Sequence, residues 1–230
     1  MSITEEFFDD RPLASQAAAR HVAAAISRQL ADSPQAAIIV SGGSTPAECF
    51  KILADNDLGW NRVRIVPSDE RCVHAEHDAS NAGMIQRLLV TNRATDASLL
   101  TLYNQKLSAE EQCSDIEKSL ASIVRPFAIA LLGTGADGHF ASLFADAEQI
   151  TEGLDPDSDC NCVLVGTSAS PYLRVSLTMR ALLNSNEILL LFFGDTKREV
   201  YEQAKRPDST YPVSKLLLQR RTPVRAIWAP

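Results

Sequence analysis

The sequence predicts an α/β protein, a single domain over residues 1–230 built on a Rossmann-like, mostly parallel sheet with helices on both faces. Three observations carry that expectation. Short runs at 36–40, 127–132 and 188–193 are apolar at every position, as strands covered by helices on both sides must be. Segments with helical spacing alternate with these runs along the whole chain, with no repeat, linker or break in composition. Several strand ends run into glycine-rich or charged turns, which is where open α/β sheets bind ligands.

The elements follow in order. Residues 12–31 are alanine-rich, with Leu13, Ala17, Val22, Ala25, Ile26 and Leu30 at helical spacing, so an amphipathic helix lies on the sheet. Ala36 to Val40 is the first strand, and Ser41-Gly42-Gly43-Ser44-Thr45-Pro46 follows at once. Thr45 suits an N-cap and Pro46 the first helical position of a helix running to Leu53. Strand, glycine loop and helix start would together aim free N–H groups and a positive dipole end at one spot, an anion cradle for which phosphate is the natural guest. A tight strand-to-helix turn would use the same residues, and the loop has neither the Gly-Lys-Ser/Thr of a nucleotide phosphate loop nor a third dinucleotide glycine.

Residues 60–66 give a second strand ending in Pro67-Ser68-Asp69-Glu70-Arg71. Asp69 could accept from sugar hydroxyls and Arg71 could grip a phosphate or carboxylate, although taken alone the stretch equally fits a solvated loop of mutual ion pairs. His74 and His77 lie in a polar loop with no third ligand in sequence and read as surface residues. Asp78-Ala79-Ser80-Asn81 caps a helix through Leu89, residues 99–103 form a short strand, and Ser108-Ala109-Glu110-Glu111 is a capping box opening a helix to about Ser122.

The strand at 127–132 then feeds the stretch that concentrates the chemistry, Gly133-Thr134-Gly135-Ala136-Asp137-Gly138-His139. Its glycines permit positive φ and close backbone approach, while Asp137 and His139 project from one turn. A histidine there can exchange a proton near neutral pH, as a general base must. Residues 145–159 are acidic and rich in Asp, Gly and Pro, a loop long enough to act as a lid. Strands follow at 163–165 and 172–177, where Arg174 is either a substrate contact or a salt-bridged strand residue. A short helix covers 178–183, and Gly194-Asp195-Thr196-Lys197 ends the strand at 188–193. Lys197 falls in the first turn of the next helix, where a cation opposes the dipole, and that mismatch favours binding. A helix at 212–218 and a strand at 224–228 close the chain.

Composition narrows the function classes. A net charge of −7 argues against nucleic acid or an anionic membrane as partner, yet leaves room for a small anion held by a few local cations. The acidic start is unlike a signal peptide and no run is long enough to span a bilayer, so a cytoplasmic location is expected. Five scattered cysteines read as reduced thiols, and no spacing suggests zinc.

Collected together, Ser41-Gly-Gly-Ser-Thr-Pro46, Asp69-Glu-Arg71, Asp78-Ala-Ser-Asn81, residues 133–144, Arg174-Val-Ser-Leu177 and Gly194-Asp-Thr-Lys197 closely resemble the 6-phosphogluconolactonase family in content and order. The resemblance implies hydrolysis of 6-phospho-D-glucono-1,5-lactone to 6-phosphogluconate without metal or organic cofactor, by a monomer or homodimer. It implies His139 as general base, Gly42, Gly43, Ser44 and Thr45 as phosphate cradle, Arg71 and Lys197 as its counter-charges, and Asp69, Asp137 and Arg174 as positioning groups. The related glucosamine-6-phosphate deaminases share the glycine loop and the Asp-Gly-His turn, but place a glutamate where Phe144 stands and usually an aromatic residue at Arg71. A non-catalytic sugar-phosphate sensor is a further alternative, with no helix-turn-helix segment or basic face here to support it.

Overall fold

The computed structural model describes residues 3–168 and 170–230, apart from the side chain of Glu110. Along the chain run β1 (Thr4–Phe7), α1 (Arg11–Asp32), β2 (Ala36–Val40), α2 (Ala47–Ala54), β3 (Val63–Pro67), β4 (Asp69–Arg71), α3 (Asn81–Leu88), β5 (Ser98–Leu99) and α4 (Ala109–Ala121). The second half adds β6 (Ile129–Leu132), α5 (Ile150–Gly153), β7 (Cys162–Val165), β8 (Arg174–Leu177), α6 (Met179–Leu183), β9 (Ile188–Phe193), α7 (Asp195–Ala204), α8 (Pro212–Leu218) and β10 (Val224–Ala229).

Seven strands form one parallel sheet in the order β1-β10-β9-β6-β2-β3-β5. From β2 the chain steps to β3 on one side, whereas from β6 it steps to β9 on the other, so the crevice between the carboxyl ends of β2 and β6 is a topological switch point. Side chains of the central strands alternate between two cores. Ile38, Val40, Ile129, Leu131, Leu189 and Leu191 pack towards α1, α2 and α3. Ala37, Ile39, Ala130, Leu132, Leu190 and Phe192 pack on the other face with Phe127, Leu120 and Tyr201. Because both faces are covered, these strands are apolar at every position, which is what made them readable.

The structure departs from the sequence expectations at several places, each with a local cause. Residues 4–7 form a parallel edge strand that polar Thr-Glu-Glu did not announce. It is held by its backbone ladder to β10 and by side-chain ties from Glu6 to Arg225 and from Glu5 to Lys205 and Tyr201. Asp69–Arg71 is not a loop but the strand β4, antiparallel to β8 in a second, three-stranded sheet β4-β8-β7. Thr45 does not cap α2: residues 44–47 make a turn closed by Ala47 N–H to the Ser44 carbonyl (3.4 Å), and the helix starts one residue beyond Pro46. Of residues 99–103 only Leu99 is in a strand, and residues 60–62 form a 3-10 turn before β3. The 145–159 stretch includes α5 and lays Ala147 against the core.

Leu131 is fully buried between β2 and β9, under α1. Leu131→Ala should cost about 2–5 kcal/mol through lost transfer energy and the cavity left behind, read as a lower urea midpoint at unchanged slope.

Candidate active site

The switch point is a cleft walled by three loops and two facing strands. Beyond β2, Ser41 N–H still donates to the Leu131 carbonyl (2.8 Å), and the chain then leaves the sheet through Gly42 and Gly43. Gly43 takes φ +86, and a side-chain carbon at Gly42 would lie 1.9 Å from Asn81 Oδ1, so neither position admits another residue without rearrangement. Asn81, at the start of α3, donates through Nδ2 to the Asp69 carbonyl (2.9 Å) and so wedges the glycine loop against β4. The start of α3 is itself fixed by Glu70, whose buried carboxylate accepts from the N–H groups of Arg71, Asn81 and Ala82 and from the Ser80 hydroxyl. Burial pushes the Glu70 carboxyl above its ordinary pKa, and these four donors oppose the shift.

Opposite the glycine loop stand Asp69, Arg71 and Arg174, with Arg71 and Arg174 directly across the β4–β8 pair. Asp69 accepts from the hydroxyls of Ser68 (3.0 Å) and Ser142 (2.6 Å), and Ser142 Oγ in turn accepts from Arg174 Nη1 (3.3 Å), so the serine bridges an acid and a guanidinium 3.8 Å apart. Arg71 Nη1 donates to the Ala79 carbonyl (2.7 Å). The Nε atoms of both arginines are buried without a hydrogen-bond partner. Burial, and next the charge of Arg71, hold the Arg174 guanidinium below its ordinary pKa. Two converging, partly desolvated guanidinium groups with spare donors are a site for an anion. Lys197, in the first turn of α7, lines the same cleft; burial and then the charge of Arg11 lower its pKa, while Asp137 acts in the opposite sense.

The third loop carries the imidazole. Gly138 N–H donates to the Gly135 carbonyl (3.1 Å) and Gly135 N–H to the His139 carbonyl (3.0 Å), a tight turn in which Gly138 takes φ +75 with the Tyr211 ring against it. His139 Nδ1 lies 2.5 Å from Asp137 Oδ1, and His139 N–H reaches the same oxygen (3.2 Å). With Nδ1–H given to the carboxylate, the lone pair is on Nε2. The imidazole stacks on Phe144 at 4.2 Å between centroids, and the Arg174 guanidinium lies 5.2 Å from the same ring. Phe144 thereby fixes the ring plane of His139 and offers it no proton.

The cleft therefore brings together Gly42, Gly43, Ser44, Thr45, Asp69, Arg71, Arg174, His139 and Lys197, with Asp137 behind the imidazole. In the sequence Asn81 reads only as part of a helix cap, and Ser142 shows no role of its own. Neither has a local signal beyond its polarity: Asn81 acts through its side-chain amide on β4, and the acid Ser142 holds is 73 positions away.

This cleft, at the switch point of a parallel sheet and lined by a glycine loop, two arginines, a lysine and an acid-supported histidine, is that of an α/β protein with converging cations beside an imidazole. Residues 9–228 match the family model described as glucosamine-6-phosphate isomerases/6-phosphogluconolactonase, and the chain belongs to that family. It is 34% identical to a 6-phosphogluconolactonase of Mesorhizobium japonicum over 97% of this chain and 94% of the relative, and 33% identical to one of Caulobacter vibrioides over 97% and 96%. A crystal structure of a 6-phosphogluconolactonase from Shewanella baltica superposes with a TM-score of 0.95 at 33% identity, covering 100% of this chain and 98% of the other.

The His139 hydrogen bond, more than the imidazole's charge, lowers the pKa of Asp137. Stability from this depressed acid is present above the unfolded-state pKa of about 3.9 and is lost as pH falls through the lower folded value. A carbon-detected NMR titration should find Asp137 ionising below ordinary aspartates, and His139→Ala should return it towards the usual range; an unchanged titration in the variant would refute the assignment of cause.

Proposed function

We propose that the chain hydrolyses 6-phospho-D-glucono-1,5-lactone to 6-phospho-D-gluconate, the lactone-opening step of the oxidative pentose phosphate pathway, with His139 as general base. The observation that carries this reading is the placement of an Asp137-supported imidazole in the same cleft as Arg71, Arg174 and Lys197. The names of the relatives supply the substrate. The residues supply a route.

In this reading the 6-phosphate rests on the N–H groups of Gly42 to Thr45, with Arg71 and Lys197 as counter-charges. Binding energy at this remote group orients the lactone so that its carbonyl carbon faces His139. Nε2 takes a proton from a water molecule as the water oxygen bonds to that carbon, and the carbonyl becomes an oxyanion. Asp137 stabilises the imidazolium that forms and keeps the ring in the required tautomer. Collapse re-forms the C=O bond and breaks the bond to the ring oxygen. That oxygen receives the proton from the imidazolium, giving the open-chain acid and restoring the base. Asp69, held by Ser68 and Ser142, accepts from sugar hydroxyls, and Arg174 positions the substrate. No enzyme nucleophile is needed in this sequence, and no group on a cofactor takes part.

Deamination of glucosamine 6-phosphate is disfavoured because the ring stacked on the imidazole is phenylalanine, which transfers no proton. A cytoplasmic setting belongs to the same reading, supported by five cysteines that are all free thiols.

The lactone, generated in situ at neutral pH, should disappear faster than its spontaneous hydrolysis with the wild-type protein. His139→Ala should lose roughly 10²–10⁴-fold in kcat while phosphosugar binding persists. A wild-type rate equal to background would overturn the lactonase reading, and a variant as fast as wild type would overturn the role of His139.

A further inference from the structure

Next to the cleft described above lies a second one that the reaction does not use. Both are lined by Ser44, Thr45 and Lys197, so the turn leading into α2 is the partition between them. The second cleft is bounded by the first turns of α1 and α7 and one side of α2, and has a cavity volume of about 460 Å³, within the ~300–1,000 Å³ range of small-molecule sites.

Its chemistry is that of an anion site with an apolar wall. Arg11, Lys51 and Lys197 line it against one carboxylate, Glu48, which lies 3.6 Å from Lys51. Arg11 and Lys197 both occupy first helical turns, where a cation opposes the helix dipole and gains nothing for the helix. Arg11 spends only its Nε–H on the Pro230 carbonyl (2.9 Å), and its guanidinium rests 5.5 Å from the Phe193 ring centre, so its terminal donors remain for a ligand. A separate observation concerns Ser15, which is 1% exposed and lines this cleft. Its hydroxyl has no hydrogen-bond partner, although a buried helical serine ordinarily satisfies itself. An unsatisfied buried hydroxyl costs free energy unless something in the cleft bonds to it.

We propose that this second cleft is a binding site for a phosphate group, free or carried by an organic ester, held by Arg11, Lys51 and Lys197 and receiving a hydrogen bond from Ser15. The phosphate lies among the cations, and the organic part of an ester lies along Pro12 and the exposed part of Phe193. Since Lys197 borders both clefts, a phosphate here competes for the cation that the catalytic cleft uses. The site thereby senses the phosphate compounds around the enzyme and weakens phosphosugar binding when it fills.

Calorimetric titration of the full chain at fixed ionic strength, with inorganic phosphate and separately with adenosine 5′-monophosphate, tests the site without relying on turnover. We expect two binding events for at least one probe. Arg71→Ala should remove one event, and the pair Arg11→Ala with Lys51→Ala should weaken the other about tenfold or more, the loss expected when charge-assisted hydrogen bonds are removed. Ser15→Ala, which places the best helix former on α1 and so keeps the fold, should weaken that same event several-fold. Equal affinities assign free phosphate as the ligand, whereas tighter binding of the nucleotide assigns an ester. A single event that disappears in Arg71→Ala and is untouched in the Arg11/Lys51 pair overturns the proposal and leaves the lactonase reading standing. Absence of any binding outside the catalytic cleft overturns it equally.

Discussion

The site depends on one tie between two sheets. The three-stranded antiparallel sheet β4-β8-β7 is fastened to the parallel sheet at the switch point. Ser68 N–H donates to the Val40 carbonyl (2.8 Å), its own carbonyl receives Leu177 N–H (2.9 Å), and Ser142 joins the central loop to both Asp69 and Ser176. These bonds hold Arg71 and Arg174 facing the loop that bears His139. Without the Asp69–Ser142 contact the acid would be a buried carboxylate with one fewer donor, and the arginine wall would lose its reference to the imidazole.

The electrostatic design is local rather than global. The protein carries a net charge of −7, yet its cleft gathers Arg71, Arg174 and Lys197 with few compensating acids. Burial depresses the pKa of Arg174 and of Lys197, and a neighbouring cation adds to each shift, so both charges are held at a cost that a bound phosphate dianion offsets. Asp69, 3.8 Å from Arg174, raises that guanidinium's pKa, but by less than burial and the charge of Arg71 lower it. In the proposed function, cations kept partly desolvated and under-compensated favour a phosphorylated substrate. The same reasoning explains the imidazole: its Nδ1 is committed to Asp137 and its face to Phe144, leaving one nitrogen for chemistry.

Much of this was legible in the sequence because it rests on local rules. β2, β6 and β9 are apolar on both faces, which only a doubly covered strand requires, and the glycines mark close approaches at 42, 135 and 138 and a positive φ at 43 that the structure displays. The capping box at Ser108 and the Ser80 cap are set within three residues and were readable for that reason. What was not legible depends on partners far along the chain. β1 has no apolar face and exists because β10 offers it an edge. Asp69–Arg71 reads as a charged loop until Arg174 and its neighbours arrive to pair with it. Thr45 has the residue type of a cap, but the turn at 44–47 takes precedence and leaves its side chain lining the clefts. Ser142 looks like any serine after a glycine turn, since its meaning lies in Asp69.

In the proposed function the charged cleft holds a phosphate so that His139 meets a carbonyl. The most direct test is the ratio of kcat/KM for 6-phosphogluconolactone to that for unphosphorylated glucono-1,5-lactone, measured in the wild type and in Arg71→Ala. A large ratio is expected in the wild type, of order 10³ or more if the phosphate contributes about 4 kcal/mol or more of oriented binding energy, and a sharp fall of that ratio in the variant. Equal rates on the two lactones, or a ratio that Arg71→Ala leaves intact, would contradict it.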